Sequence, residues 1–272
     1  MNTKNRYSAQ ELSEKITDHI HELAKATDVA RMSEAMLDYL DMCAKFHKYS
    51  PNNVWLILMA KPGATKVAGF HMWKSMGRSV RKGEKGIPIL APIVVKQDKD
   101  AGEDKEKLVG FKVVYVFDIS QTEGEPIPEP PDWKSPEQNV LLSEHLIRFA
   151  ESKGINVAVK ELAGEIQGVS SGGAILLSPN AGTKTLIHEI AHELMHQDDD
   201  RPKNKTILEL EAESVAYVVG KHFGLEGLAS PNYVALHGAD AEMILAHLES
   251  IRITAKGIIT NVDSSCLALM KE

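Results

Sequence analysis

The stretch Thr185-Leu186-Ile187-His188-Glu189-Ile190-Ala191-His192-Glu193-Leu194-Met195-His196 decides how the second half of this 272-residue chain is read. Residues i and i+4 of a helix project from one face. A helix over about 183–196 therefore sets His188 beside His192, where two neutral imidazoles can grip one metal ion. Glu189 then lies next to that ion, placed to hold and deprotonate a bound water. Leu186, Ile187, Ile190, Ala191, Leu194 and Met195 are apolar, so the helix is expected to be largely buried. Burying two histidines and a carboxylate without partners is costly, and a metal ion offsets that cost. Zn2+ is the ion expected here, against the plainer reading of two satisfied core histidines. His192-Glu193-Leu194-Met195-His196 is a second, overlapping copy of the pattern. The first copy is preferred because the strand-like Gly173–Leu177 precedes it at a natural distance. His196, at the helix end, reads as a residue supporting the ligands or capping the helix.

A peptidase zinc site needs a third protein ligand and leaves its fourth position to water. The candidates lie in Glu209-Leu210-Glu211-Ala212-Glu213-Ser214-Val215-Ala216, on a helix expected over about 206–223. Glu209 and Glu213 share one face, while Glu211 points elsewhere and reads as a solvent-facing acid. Glu209 is the expected ligand. Glu213 would then accept a hydrogen bond from a ligand histidine and orient it; the swapped assignment stays open. In the expected reaction Glu189 takes a proton from the water and later delivers it to the leaving amine. Gly172–Leu177 is a candidate edge strand for an extended peptide. Tyr217, Tyr233 and His237 are candidate oxyanion donors.

Working outward, the chain changes character in its first half. Between Lys45 and Lys96 ten Lys/Arg stand against one acid, Glu84, for a local charge of +9, although the whole chain carries −7. Phe46, Tyr49, Trp55, Phe70 and Trp73 are interleaved with those cations. A positive groove with flat side chains suits single-stranded nucleic acid. The candidate contacts are Lys48, Lys66, Lys74, Arg78, Arg81, Lys82, Lys85 and Trp73, with a solvated basic face and core tryptophans as the plain alternative.

Helices are expected over Ser8–Ala26, where Ser8 and Glu11 form a capping box, and over the Met32–Cys43 stretch. Asn53–Met59 is a short apolar run. Closely spaced glycines from Gly63 to Gly86 suit turns and short strands. Pro88–Lys96 and Phe111–Phe117 read as paired strands. Gln121–Pro131 holds four prolines and reads as a solvated linker. A helix over about 138–153, strands near Asn156–Lys160 and Gly173–Leu177, and a helical region over 239–259 complete the second part. The fold class is α+β throughout: residues 1–125, a linker over 126–134, then residues 135–272 as a small sheet with a bundle of helices around the site. Two distant cysteines exclude a disulfide scaffold. No apolar run is long enough for a membrane span and no secretory signal opens the chain, so no membrane partner and a cytoplasmic location are expected.

Specific motifs add a resemblance. Tyr49-Ser50-Pro51-Asn52-Asn53, Ala64–Phe70, Trp73, Gly77-Arg78-Ser79-Val80, Lys82–Ile87 and Val116–Thr122 resemble the N-terminal domain of ArdC-type antirestriction proteins. The His188–His192 and Glu209–Ala216 segments are similar to the ImmA/IrrE-like branch of zincin-like metallopeptidases. The resemblance implies a single-stranded DNA-binding domain followed by a zinc metallopeptidase domain of the HExxH gluzincin type, carried on mobile elements to protect incoming DNA, with an unidentified protein substrate. Two other functions fit the same residues: a DNA-coating antirestriction module whose zinc is structural, and a repressor-cleaving regulator.

Overall fold

The computed structural model describes residues 7–25, 29–96, 106–127, 136–197, 204–229, 231 and 241–269. The chain divides into two compact units, Met1–Glu22 with Tyr49–Pro128 and Leu23–Lys48 with Glu129–Glu272. The expected division followed the chain linearly. In the structure, Leu23–Lys48 packs within the second unit instead. From residue 128 on, the expected linker lies outside the described residues.

In the first unit, α1 (Ala9–Ala24) starts at the expected capping box. Glu11 N donates to Ser8 Oγ at 3.1 Å and Ser8 N donates to the Glu11 carboxylate at 2.6 Å. Leu12, Ile16 and Ile20 form its buried stripe. The apolar run at 53–59 is a helix, α3 (Pro51–Ala60), after α2 described below. It buries Val54, Trp55, Leu56 and Ile57 in succession, which explains why it shows no amphipathic period. Asn53 ties it to the sheet: its Nδ2 donates to Leu90 O and its Oδ1 accepts from Leu90 N, both at 2.8 Å. That sheet is antiparallel, in the order β1 (Val67–Gly69), β4 (Glu106–Asp118), β3 (Ile87–Lys96). A short helix α4 (Phe70–Ser75) follows β1, and β2 (Arg78–Val80) pairs with β5 (Thr122–Gly124).

Asp118, at the end of β4, joins these pieces. Its carboxylate accepts from the backbone N–H groups of Thr65 (2.7 Å), Lys66 (3.2 Å) and Ser120 (2.9 Å).

The second unit holds α2 (Val29–Lys45), α5 (Pro136–Ser152), α6 (Thr183–Met195), α7 (Lys205–His222) and α8 (Ala241–Leu269). Its mixed sheet runs β6 (Asn156–Val159), β8 (Ala174–Leu177), β7 (Gly168–Ser170), with β6 parallel and β7 antiparallel to β8. This corrects one expectation: β8, within Gly172–Leu177, is the central strand, and β7 is the edge beside α6. α2 packs on α7, where Tyr217 OH donates to Asp41 Oδ1 at 2.8 Å. Among the described residues no helix is long and apolar enough to cross a membrane.

Burial alone would raise the Asp118 carboxyl pKa, but its hydrogen bonds outweigh burial and hold it below the usual range. The stability it contributes is therefore present above the unfolded carboxylate pKa, about 4, and is lost as pH falls further. Asp118→Ala is expected to cost about 2–4 kcal/mol at pH 7, because three backbone donors are deprived of a charged acceptor. Urea unfolding of the variant against wild type measures it.

Candidate metal centre

The i, i+4 spacing on α6 places the His188 and His192 rings 4.6 Å apart, with their Nε2 atoms 3.0 Å apart. Glu209 reaches them from α7, with Oε2 3.4 Å from His188 Nε2 and Oε1 3.7 Å from His192 Nε2. One donor atom from each of the three residues falls within 4.8 Å of the others. Glu189 is 7% exposed, and its carboxylate accepts hydrogen bonds from the Ser170 hydroxyl and backbone. Gly168 on β7 makes room for it: a Cβ there would stand 2.8 Å from Glu189 Cγ and 2.9 Å from its Oε1.

Whether these residues suit a cation is decided by where their protons sit. Glu211 on α7 is 4% exposed; its Oε2 lies 2.9 Å from His196 Nε2 and its Oε1 2.8 Å from His247 Nδ1 on α8. Burial alone would raise the Glu211 carboxyl pKa, but the two imidazoles bring it down to about 2. An ionised carboxylate only accepts, so His196 Nε2 carries a hydrogen and, in neutral His196, Nδ1 is an acceptor. With His196 neutral, His192 Nδ1, 2.8 Å away, is the donor. That leaves the His192 Nε2 lone pair directed at His188 and Glu209. Two ring nitrogens 3.0 Å apart need one proton or one cation between them. Burial pushes His192 down to about 4, aided by His188, and also lowers His188. Both are thus neutral near pH 7, as metal ligation requires. Among the described residues, two imidazoles and one carboxylate make up the cluster, a donor set that suits a divalent cation.

The other expected residues fall differently. Glu213 pairs with Lys184 Nζ at 3.6 Å, so its carboxylate serves a surface ion pair and not a ligand histidine. Glu211, expected in solvent, is the buried acid that supports His192 through His196. His196 is also the C-cap residue of α6. Glu193 does not mirror Glu189: it accepts from Gly172 N (2.9 Å), Gly173 N (2.6 Å) and Gln197 Nε2 (3.2 Å), and so holds the β7–β8 turn. Both glycines have positive φ, 74° and 89°, which a side chain would strain. Tyr217 is engaged with Asp41, while Tyr233 and His237 lie outside the described residues.

Among the candidate DNA contacts, three are structural. Trp73 is 1% exposed and its Nε1 donates to Phe117 O at 2.8 Å, so it cannot stack on a base. Arg78 spends its guanidinium on Thr122 Oγ1 (2.8 Å), Thr122 O (3.3 Å), Gly124 O (3.1 Å) and Glu125 O, closing the β2–β5 pair. Arg81 binds Ser120 O at 2.6 Å and Glu84 Oε1 at 2.9 Å. Lys74, Lys82 and Lys85 are exposed and Lys66 half-buried in the first unit; Lys48 is exposed in the second. Phe70, 50% exposed, is an aromatic ring in solvent where Trp55 and Trp73 are core.

With this geometry in view, residues 9–117 match the N-terminal domain of anti-restriction factor ArdC. That segment is an ArdC-type N-terminal domain. The uncharacterized protein pXO2-81 of Bacillus anthracis is 28% identical over 99% of this chain, which spans about half (54%) of that protein's length. Two crystal structures of the antirestriction protein ArdC from plasmid R388 are also similar. The metal-free one has 19% identity and a TM-score of 0.44, covering 79% of this chain and 85% of that one. The Mn(II)-bound one has 18% identity and a TM-score of 0.44, covering 82% and 97%.

The ArdC-type segment ends before the metal cluster, so the cluster rests on its own geometry. Glu211 was legible in principle: it shares the apolar stripe of Val215 and Val218, and a carboxylate on such a stripe must find partners inside. His247 and Gly168 carry no local signal, because their roles depend on contacts distant in sequence.

Two outcomes are expected. The unfolded chain takes up a proton on His192 below about pH 6.5, whereas the folded His192 imidazole resists until about 4. Metal-free protein should therefore lose stability as pH is lowered through that window, and His192→Gln should flatten the loss in melting curves recorded against pH. Glu211→Gln, which no longer fixes the His196 hydrogen, should weaken metal binding about 10–100-fold in a chelator competition.

Proposed function

We propose that the chain binds single-stranded DNA through its ArdC-type domain and hydrolyses peptide bonds with a zinc ion held by His188, His192 and Glu209. The observation that carries this reading is the convergence of those three side chains beside the buried Glu189 carboxylate. The order of a small mixed sheet, the helix bearing His188 and His192, and a second helix bearing Glu209 supports a zincin-like second part. Zinc, when bound, supplies the activation of a water and a Lewis acid for the scissile carbonyl.

The protein's own groups do the rest. Burial raises the Glu189 carboxyl pKa, and Glu209 adds to this, while Ser170 only partly offsets the rise. A carboxyl group poised upward in this way takes a proton at one oxygen and returns it to the leaving amine more readily than an exposed one. β7 pairs with β8 along one edge, and its other edge, next to Glu189, suits an extended peptide bound as an added strand. Glu209, whose side chain is 47% exposed, leaves the cluster accessible from solvent, which suits turnover better than a closed structural site. On the DNA side, Lys66, Lys74, Lys82 and Lys85 supply phosphate contacts and Phe70 a stacking ring. The joint function is a peptidase brought to single-stranded DNA, acting on a protein met there during protection of incoming DNA from restriction.

Glu189→Gln separates the parts. The variant is expected to keep its zinc and its affinity for an oligo(dT) strand while cleavage of a fluorogenic peptide library falls about 10²–10⁴-fold. Wild-type protein with stoichiometric zinc that cleaves nothing, or a variant that cleaves normally, removes the peptidase reading.

A further inference from the structure

The first compact unit contains a cavity of about 710 Å³ bounded by α1, the end of α3 and the β3–β4 pair. Its lining has two characters. Leu12, Leu56 and Ile87 give an apolar floor, and the rings of Tyr7 and Tyr115 add flat aromatic surface. Lys15, Lys61 and Lys85 supply three ammonium groups, and no carboxylate is among the described lining residues. A site of this kind asks for a flat or apolar body joined to negative charge. Its size lies within the range of small-molecule sites, about 300–1,000 Å³.

We propose that this cavity is a nucleotide subsite, in which one unit of a DNA single strand lays its base against the tyrosine rings and its phosphate among the three lysines. The inference rests on the single-stranded DNA reading above and deepens it by naming where a base goes. The positions are held by the fold. Lys15 Nζ stands 4.2 Å over one face of the Tyr7 ring, a cation–π contact that fixes the ammonium at the cavity wall. Gln121 Nε2 donates to Lys85 O at 2.9 Å, which anchors the loop that carries the Lys85 side chain. Gly86 follows directly, and a Cβ on it would stand 2.8 Å from Tyr115 Cβ, so the loop lies flat against that tyrosine only because no side chain intervenes. Stacking on an aromatic face is indifferent to base identity, and lysines read charge alone, so the subsite would bind without sequence preference. It also resolves a conflict in the sequence, whose two tryptophans in the basic stretch are both core.

The test uses the full chain and an oligo(dT) strand. Fluorescence anisotropy compares wild type with Lys15→Glu/Lys61→Glu/Lys85→Glu, a set of half-buried or exposed lysines whose fold is checked by thermal melting. The variant is expected to bind at least tenfold more weakly, with a shallower salt dependence, by about 0.7 in log–log slope for each phosphate left without its lysine. Lys85→Gln alone should give a smaller effect in the same direction, and serves if the triple variant fails to fold. Strands carrying 5-iododeoxyuridine should photocrosslink to Tyr7 or Tyr115, with the Tyr115 adduct absent in Tyr115→Leu. If wild type binds the strand and these variants bind it within twofold, the subsite is wrong and the DNA reading stands. If wild type binds no single strand, the DNA reading itself fails and takes the subsite with it. Thymidine 5′-phosphate binding as tightly as the strand would make this a free-nucleotide site, and loss of binding to phosphatidylserine vesicles with strand affinity unchanged would make it a lipid site; either overturns the proposal.

Discussion

Two imidazole nitrogens held 3.0 Å apart on one half-buried helix face must share a hydrogen or a cation, and the surrounding structure is built around that need. Each neutral ring offers one lone pair and one N–H, and where the two lone pairs face each other they repel unless a cation lies between them. The helix spacing imposes the approach, and burial keeps both rings neutral. Glu209 supplies the negative charge that makes a cation the natural occupant. Much of the second unit can be understood as the support of this one arrangement.

The support is a chain of hydrogen bonds running inward from the cluster. His192 leans on His196, His196 on Glu211, and the second oxygen of Glu211 is satisfied by His247 from another helix. A buried carboxylate is costly unless its oxygens are paired, and here both oxygens have partners. The result is directional: with Glu211 ionised and His196 neutral, each hydrogen in the chain has one place, and His192 presents its lone pair outward. Glu193 and Gly168 do comparable work for Glu189. One pins the β7–β8 turn and the other lets β7 approach without a side chain in the way.

The first unit solves a different problem. Its basic residues divide between those that build the fold and those that remain available. Arg78 and Arg81 cap carbonyl groups at strand ends, a use for which a planar, multi-donor guanidinium is suited and a lysine ammonium is not. The lysines stay at the surface. Trp73 follows the same division, since an indole N–H in the core requires an acceptor and finds Phe117 O. A charge count over the stretch could not separate these roles, because sequence gives composition and not the direction in which a side chain leaves the backbone.

Local geometry was legible without any tertiary information. The His188–Glu189–His192 spacing, the Ser8–Glu11 cap and the alternation from strands into helices depend on residues a few positions apart, whose relation the helix or strand repeat dictates. What needed the folded chain was every relation between distant residues. Glu209 reaches the histidines while Glu213 turns to Lys184; Glu211 lies inside; β7 and not β8 is the edge; and Leu23–Lys48 joins the second unit. These depend on how helices cross and how strands order in a sheet, which are set by packing over the whole core and leave no mark on any single segment.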